Sequence, residues 1–578
     1  MNIKDIQTLI VSDFETYKNT MLSSQKALLD QLNTENIFIS ALGIEELKDK
    51  IDQVQVKTNV KKPLLGIPFA VKDNIDVAGF ETTAGCKEYS YTPSKSAFTV
   101  KTLEQAGAIC IGKTNMDQFA TGLVGTRSPY GIAKNYYNEE YIPGGSSSGS
   151  ASALTSNYAC FSLGTDTAGS GRVPAAFQNL IGVKPSKGII STCGVVPACK
   201  SLDCVSVFAN KLEDAELVLK ILSAYDEQDP YSRSNQQAQL KDNYRIAIPL
   251  KENLKFFGNS FYEGAFNAFI ESLRQHGYNI AEIDFSPMFD AAKLLYNGPW
   301  VAERFHAVGE FIEKNPAAIL QTTKTIILGG KTPTASQYFD AEYQLKKYEK
   351  LFDNYTQSFD AFVMPTAGTI YKIEEVKSNP IELNSNLGYY TNFMNLLDCS
   401  ALALPVTITE NNLPFGVTLF APAFNDLNLL NLGKKMAHQN TLNLQNENTE
   451  LIDLAVCGAH KREGVLNYQL KEIGAIYKRT TLTSESYRFY ALENLSPVRP
   501  GLVCDPGHGS KIEVEIWKVP ASKLGGFINS ISAPLSFGKI TLENGEQVTS
   551  FLCELYALDQ AKEITHLQRW ENYLVSYK

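Results

Sequence analysis

One lysine in an apolar frame and two stretches rich in serine and glycine carry the chemistry this sequence offers. Lys72 lies in FAVKDN, Ser146 in PGGSSSGSASAL, and Ser170, 24 positions further on, in SLGTDTAGSGRVPAAF. A serine hydroxyl is a poor nucleophile at neutral pH and needs a positioned base. Histidine, the commonest base, first occurs at His276, well past both stretches. A Ser-His-Asp triad stays open, because its members need not be close in sequence. The nearer candidate is a lysine acting through a bridging serine, which requires that lysine to be buried and neutral. Taken alone, GGSSSGS suits a flexible loop or a phosphate-binding turn, and a lone lysine is by default a solvated one.

Regular elements have to position such groups. KTLEQAGAICIGKTNMDQF predicts helix, turn and strand, with Gly107 closing the helix. NYRIAIPL and DAFVMPTAG are short apolar runs ended by proline or glycine, as buried strands are. Residues 1–435 are therefore expected to form an α/β domain, a mixed sheet flanked by helices. HQNTLNLQNENTE is poor in large hydrophobes and reads as a linker, placed at 436–450. LIDLAVCGAH, AIYKRTTLT, YRFYAL, KIEVEIWKVP and KITLENGEQVTSFLCELYAL then predict a smaller β-rich domain over 451–578. Its last hairpin turns at Asn544-Gly545.

Composition fits a large soluble enzyme. The chain has 578 residues, 44% apolar and 20% charged, enough for substantial cores and more than one domain. A net charge of −9 and a pI near 5.4 argue against nucleic acid or an anionic membrane as the main partner. No apolar run reaches the length of a membrane span, and the charged start MNIKDIQTLIVSDFETYK lacks a signal-peptide core. The ten cysteines form no CxxC pair and no metal-spaced cluster. They read as small buried hydrophobes in a reducing compartment, so the cytoplasm is expected.

The three opening motifs, in order, resemble the amidase-signature hydrolases, whose members use a Ser-cisSer-Lys relay. The resemblance makes Ser170 the nucleophile, Ser146 the bridging serine and Lys72 the general base. It places the backbone N–H groups of Thr167, Ala168, Gly169 and Ser170 in the oxyanion hole that acyl transfer needs. It also assigns Thr121, in ATGLVG, a backbone carbonyl facing the substrate amide.

A narrower resemblance lies in DTAGSGRVPAAF, GVVPACKSLDCVSVFA and YNGPWVAERF, which look like the allophanate hydrolase family. Tyr296 and Arg304 are eight residues apart, close to two helical turns, and are expected to share a face. A guanidinium fork and a phenolic hydroxyl would bind the carboxylate of allophanate, urea-1-carboxylate. The C-terminal segments VCGAHKREGVLNYQL, RPGLVCDPGHG, EVEIWKVP and APLSFGKITLENG resemble the same family's second domain, which has a γ-glutamyl-cyclotransferase-like fold. There the amidase half releases ammonia and leaves N-carboxycarbamate, and the second half assists its decarboxylation. His460 in VCGAH is the matching residue, a proton-transfer candidate; His508, in a Pro-Gly-rich loop, is not expected to act.

The resemblance implies no metal or organic cofactor, a homodimer, and a biotin-dependent urea carboxylase as pathway partner. Two rival readings remain. One is an amidase of other specificity, malonamate-type or amidotransferase-like. The other is a catalytically dead scaffold binding a carboxylated metabolite, against which the presence of all three relay residues argues.

Overall fold

The apolar runs of the first four hundred residues become strands of one mixed sheet. The structure, a computed structural model, describes residues 1–56, 62–409, 411–439, 442, 451–462 and 464–577. Among these the chain divides into two compact units, Met1–Tyr136 with Tyr141–Asn446, and Tyr137–Glu140 with Glu447–Lys578.

The first unit is built on eleven strands. They are β1 (Phe38–Ala41), β2 (Pro68–Lys72), β3 (Ile109–Thr114), β4 (Phe161–Asp166), β5 (Ile181–Lys184), β6 (Cys204–Ala209), β7 (Arg245–Pro249), β8 (Asn279–Ile283), β9 (Ala361–Pro365), β10 (Cys399–Ile408) and β11 (Pro414–Pro422). Their order is β1-β3-β2-β4-β6-β5-β10-β11-β9-β7-β8. β2 runs parallel to both β3 and β4, whereas β6 returns antiparallel to β4. Every residue of β2, β3, β4 and β6 is buried. A near-continuous apolar run is what a strand covered on both faces needs.

Helix Phe98–Gln105 ends as the sequence predicts: Gly107 adopts φ +100°, and β3 follows. Helix Ser148–Thr155, made of small residues, lies buried against β2, β3 and β4. Small side chains allow that close approach, and the helix's first turn follows directly on Ser146.

Helix Asp426–His438 runs three residues into the span expected as linker, because Leu429, Leu430, Leu432 and Met436 still bury an apolar stripe. Of the rest of that span, Gln439 and Leu442 are described; the remainder lies outside the described residues. The second unit contains β12 (Leu451–Val456), β13 (Ile476–Leu482), β14 (Tyr487–Leu492), β15 (Arg499–Cys504), β16 (Glu513–Pro520), β17 (Leu535–Thr541), β18 (Gln547–Cys553) and β19 (Lys562–Glu563). They form sheets ordered β13-β16-β12-β18-β17 and β15-β14-β19. Gly545, at φ +87°, turns the β17–β18 hairpin as its Asn-Gly pair predicts.

Eight of the ten cysteines are buried and all are free, consistent with a packing role. Among the described residues no helix is long and apolar enough to cross a membrane.

Candidate active site

Because β2 and β4 are adjacent and parallel, their carboxyl ends reach the same edge of the sheet. Ligands of open α/β sheets bind at such edges. Lys72 is the last residue of β2, and Asp166 ends β4 just before the 167–170 turn.

Lys72 is fully buried, with Nζ 2.7 Å from Ser146 Oγ and 2.8 Å from Thr165 Oγ1. Burial lowers its pKa to about 7, although Asp117, Asp203 and Asp166 pull the other way. An amine at that value is substantially neutral at physiological pH and carries a lone pair. Ser146 follows a cis Gly145–Ser146 peptide, and its carbonyl accepts from Asp117 N at 3.1 Å. Gly145 is required here: a Cβ would meet Asp117 Oδ2 at 2.2 Å.

The turn carrying Ser170 is clamped from below. Asp166 accepts from Gly169 N at 2.8 Å and Gly171 N at 3.0 Å, one on each side of the serine. The same carboxylate receives a two-pronged bond from Arg172, Nε and Nη2 both at 2.9 Å. Burial opposes the charge of Asp166, but this guanidinium holds its carboxyl below the usual range. Gly169 adopts φ +138°, and a Cβ there would strike Thr391 Oγ1 at 2.4 Å. Ser170 is buried, and its hydroxyl lies 3.4 Å from the Gly122 carbonyl without a hydrogen bond to Ser146.

The structure bears on three expectations and corrects two of them, those for Gly169 and for the Tyr296–Arg304 helix. Gly169 does not offer a free amide to an oxyanion, because that amide is taken by Asp166. Among the described residues the N–H groups of Thr167, Ala168 and Ser170 have no such partner. The Thr121 carbonyl accepts from Arg127 Nη1 at 2.9 Å, which leaves one of its two lone pairs for a substrate amide. The Thr121 hydroxyl lies 3.2 Å from Arg304 Nη1. Tyr296 and Arg304 do not share one helix: Gly298-Pro299 separates helix Ser286–Asn297 from helix Trp300–Lys314. The bend nevertheless brings them together, with the Arg304 guanidinium 5.6 Å from the Tyr296 ring centroid.

Arg304 is 3% exposed and makes no ion pair among the described residues. Its Nη1 donates to the Ala120 carbonyl at 3.3 Å and to Thr121 Oγ1, while Glu303 is occupied by Ser201. A buried guanidinium bonded only to neutral acceptors is chemically suited to receive an anion.

In the second unit His460 is buried, 2.9 Å from Gln469 Oε1 through Nε2 and stacked on Phe551. Burial pushes its pKa down, which favours the neutral ring, against the hydrogen bond to Gln469. With Cys457, Arg499 and Leu535 it lines a cavity of about 20 Å³. His508 is exposed beside Asp505.

Sequence reading missed Thr165, Asp117, Asp166, Arg127 and Asp203. Asp166 and Thr165 sit inside GTDTAGS and Asp203 inside GVVPACKSLDCVSVFA, where a signal existed; Asp117 and Arg127 have no local mark. Asp203 takes the Thr167 hydroxyl and the amides of Ala198 and Cys199, and burial pushes its pKa up to about 6.

A model of the amidase family matches residues 21–430, and one of the allophanate hydrolase C-terminal domain matches residues 452–575. The chain is 41% identical over 563 residues to a urea amidolyase of Saccharomyces cerevisiae, covering 92% of this chain and 31% of that protein. It thus spans about a third of the length of that curated relative. A glutamyl-tRNA(Gln) amidotransferase component from Agathobacter rectalis is 30% identical over 467 residues, 74% of this chain and 90% of its own. Among solved structures, a Kluyveromyces lactis allophanate hydrolase superposes with TM-score 0.72 at 38% identity, over 100% of this chain and 99% of its own.

Proposed function

The chain belongs to the amidase family, and on that premise we propose that it is an allophanate hydrolase. Neutral Lys72 takes a proton from Ser146 as Ser146 takes one from Ser170, whose hydroxyl swings from Gly122 toward the bridging serine. Ser170 Oγ attacks the terminal amide carbon of allophanate. The oxyanion that forms is met by the N–H groups of Thr167, Ala168 and Ser170. As the carbon–nitrogen bond breaks, the relay returns the proton and ammonia leaves. Water then cleaves the acyl-enzyme and releases N-carboxycarbamate.

The observation that carries this specificity is Arg304, buried and without an anionic partner at the same edge as the serines. In this reading allophanate presents its amide to Ser170 and its carboxylate to Arg304, whose Thr121 contact is next in sequence to Gly122, the contact of Ser170. The match to the C-terminal domain model and the likeness to the yeast proteins support the same substrate.

The reading includes separable domains at 1–435 and 451–578, the second assisting decarboxylation through His460. It further includes a cytoplasmic homodimer supplied with allophanate by a urea carboxylase. Ammonia release by purified protein from allophanate, urea and malonamate tests it. Allophanate should be strongly preferred; equal turnover of malonamate would favour the amidase of other specificity.

A further inference from the structure

The loop 196–203, VPACKSLD, bonds to a residue just past Lys72, to the turn that carries Ser170 and to the helix that carries Arg304, yet supplies no group to the proposed relay. At its start Val196 exchanges two bonds with Asn74, two residues beyond the base: Val196 N to Asn74 O at 2.8 Å and Asn74 Nδ2 to Val196 O at 3.2 Å. At its end Asp203 accepts the hydroxyl of Thr167, at the head of the nucleophile turn. In between, Ser201 gives both its amide, at 2.8 Å, and its hydroxyl, at 2.7 Å, to the Glu303 carboxylate. The Cys199 thiol adds a bond to the Trp300 carbonyl at 3.5 Å. Trp300 and Glu303 belong to the first turn of the helix that carries Arg304. One short loop therefore fixes the helix bearing the anion receptor against the strand ends bearing the base and nucleophile.

We infer that this loop sets the distance between the carboxylate-binding and bond-breaking ends of the site, with Glu303, Ser201 and Asp203 as positioning residues for carboxylated substrates. The inference rests on the reading that Arg304 holds the substrate carboxylate. A carboxylate pinned at Arg304 fixes where the amide carbon falls. If the Arg304 helix slides, the amide leaves the reach of Ser170, even though the relay and the oxyanion donors are intact. A reagent that does not use Arg304 would not sense the slide.

The test compares allophanate turnover with the rate at which an uncharged fluorophosphonate labels Ser170, in the full-length chain. In Glu303→Ala, kcat for allophanate should fall roughly 10- to 100-fold, the scale of a misplacement near 1 Å, while labelling stays within about twofold of wild type. Glu303→Gln, which keeps an acceptor for Ser201, should restore most of the turnover. Ser201→Ala, which retains the amide bond and removes little volume, should show a smaller loss of the same kind. Wild-type turnover in Glu303→Ala overturns the inference. So does a parallel fall in turnover and labelling, which would mean general damage. Arg304→Lys separates the two levels. If that variant loses allophanate turnover selectively and Glu303→Ala does not, only the loop's role fails; if it loses labelling equally, the carboxylate reading fails beneath it.

Discussion

Lys72 Nζ lies 2.7 Å from Ser146 Oγ, and neither side chain reaches solvent. Burial lowers the pKa of this lysine to about 7, as the base of the proposed relay needs, and the contact with the Ser146 hydroxyl gives such a base something to act on. Nζ donates to Ser146 Oγ and, at 2.8 Å, to Thr165 Oγ1; in the proposed relay the neutral amine keeps its N–H on Thr165 and turns its lone pair to Ser146.

The pH profile of kcat/KM should therefore have an acidic limb near 7. A protonated amine cannot accept a proton, so activity is present above about 7 and lost as pH falls through it. Asp203 favours the protonated amine and Arg304 the neutral one. Asp203→Asn should move the limb to lower pH and Arg304→Met to higher pH. Shifts in the same direction would sink this assignment of the limb to Lys72.

Removing the nucleophile or its base should leave little. Ser170→Ala and Lys72→Ala are each expected to cost roughly 10⁴-fold or more in kcat. Ser146→Ala should be severe but less complete, because a water can bridge the gap. Full fluorophosphonate labelling of Ser170→Ala would place the nucleophile elsewhere.

Arg304→Lys keeps the charge and loses the fork. It should weaken transition-state binding of allophanate by about 1–3 kcal/mol, read as a fall in kcat/KM. An uncharged short amide should be little affected, and equal losses on both would make Arg304 structural.

Arg172 and Asp166 form a pair that is wholly buried. Arg172→Leu leaves a carboxylate uncompensated under Ser170. Stability should drop by about 3–5 kcal/mol, seen as a lower denaturant midpoint with unchanged m-value. A midpoint equal to wild type would mean that water or another cation replaces the guanidinium.

His460→Ala in the full-length protein should leave the first ammonia release at its wild-type rate and delay the second. A chain ending near residue 435 should do the same and remain folded. Identical timing of both releases in all three proteins would remove any chemical role from the second unit.

The site's local parts were legible because motif residues carry them: FAVKDN, GGSSSGS and GTDTAGS each deliver one group of the proposed relay, and the structure sets the first two in contact. The strands were legible because both faces are buried, so the apolar runs are unbroken. The contacts that tune the site were hidden by separation along the chain. Asp203 meets Thr167 from 36 positions away, and Glu303 meets Ser201 from 102. Whether the Gly169 amide is free or taken depends on which way the Asp166 carboxylate turns, which no residue type dictates. The helix break between Tyr296 and Arg304 is different, since Gly298-Pro299 is a visible stop signal that overrides a periodicity count of eight residues.

The placement of Lys72 and Asp166 at the ends of neighbouring parallel strands also governs how the enzyme should fail on heating. Lys72 and the Ser170 turn, the proposed base and nucleophile, are spaced by the ladder between β2 and β4, in a fully buried part of the sheet. Loops elsewhere can fray without changing that spacing, since local opening is easiest where few apolar contacts are lost. Inactivation of the first step should thus coincide with melting of the sheet itself, leaving no interval of temperature in which the amidase unit is folded but its nucleophile is out of register.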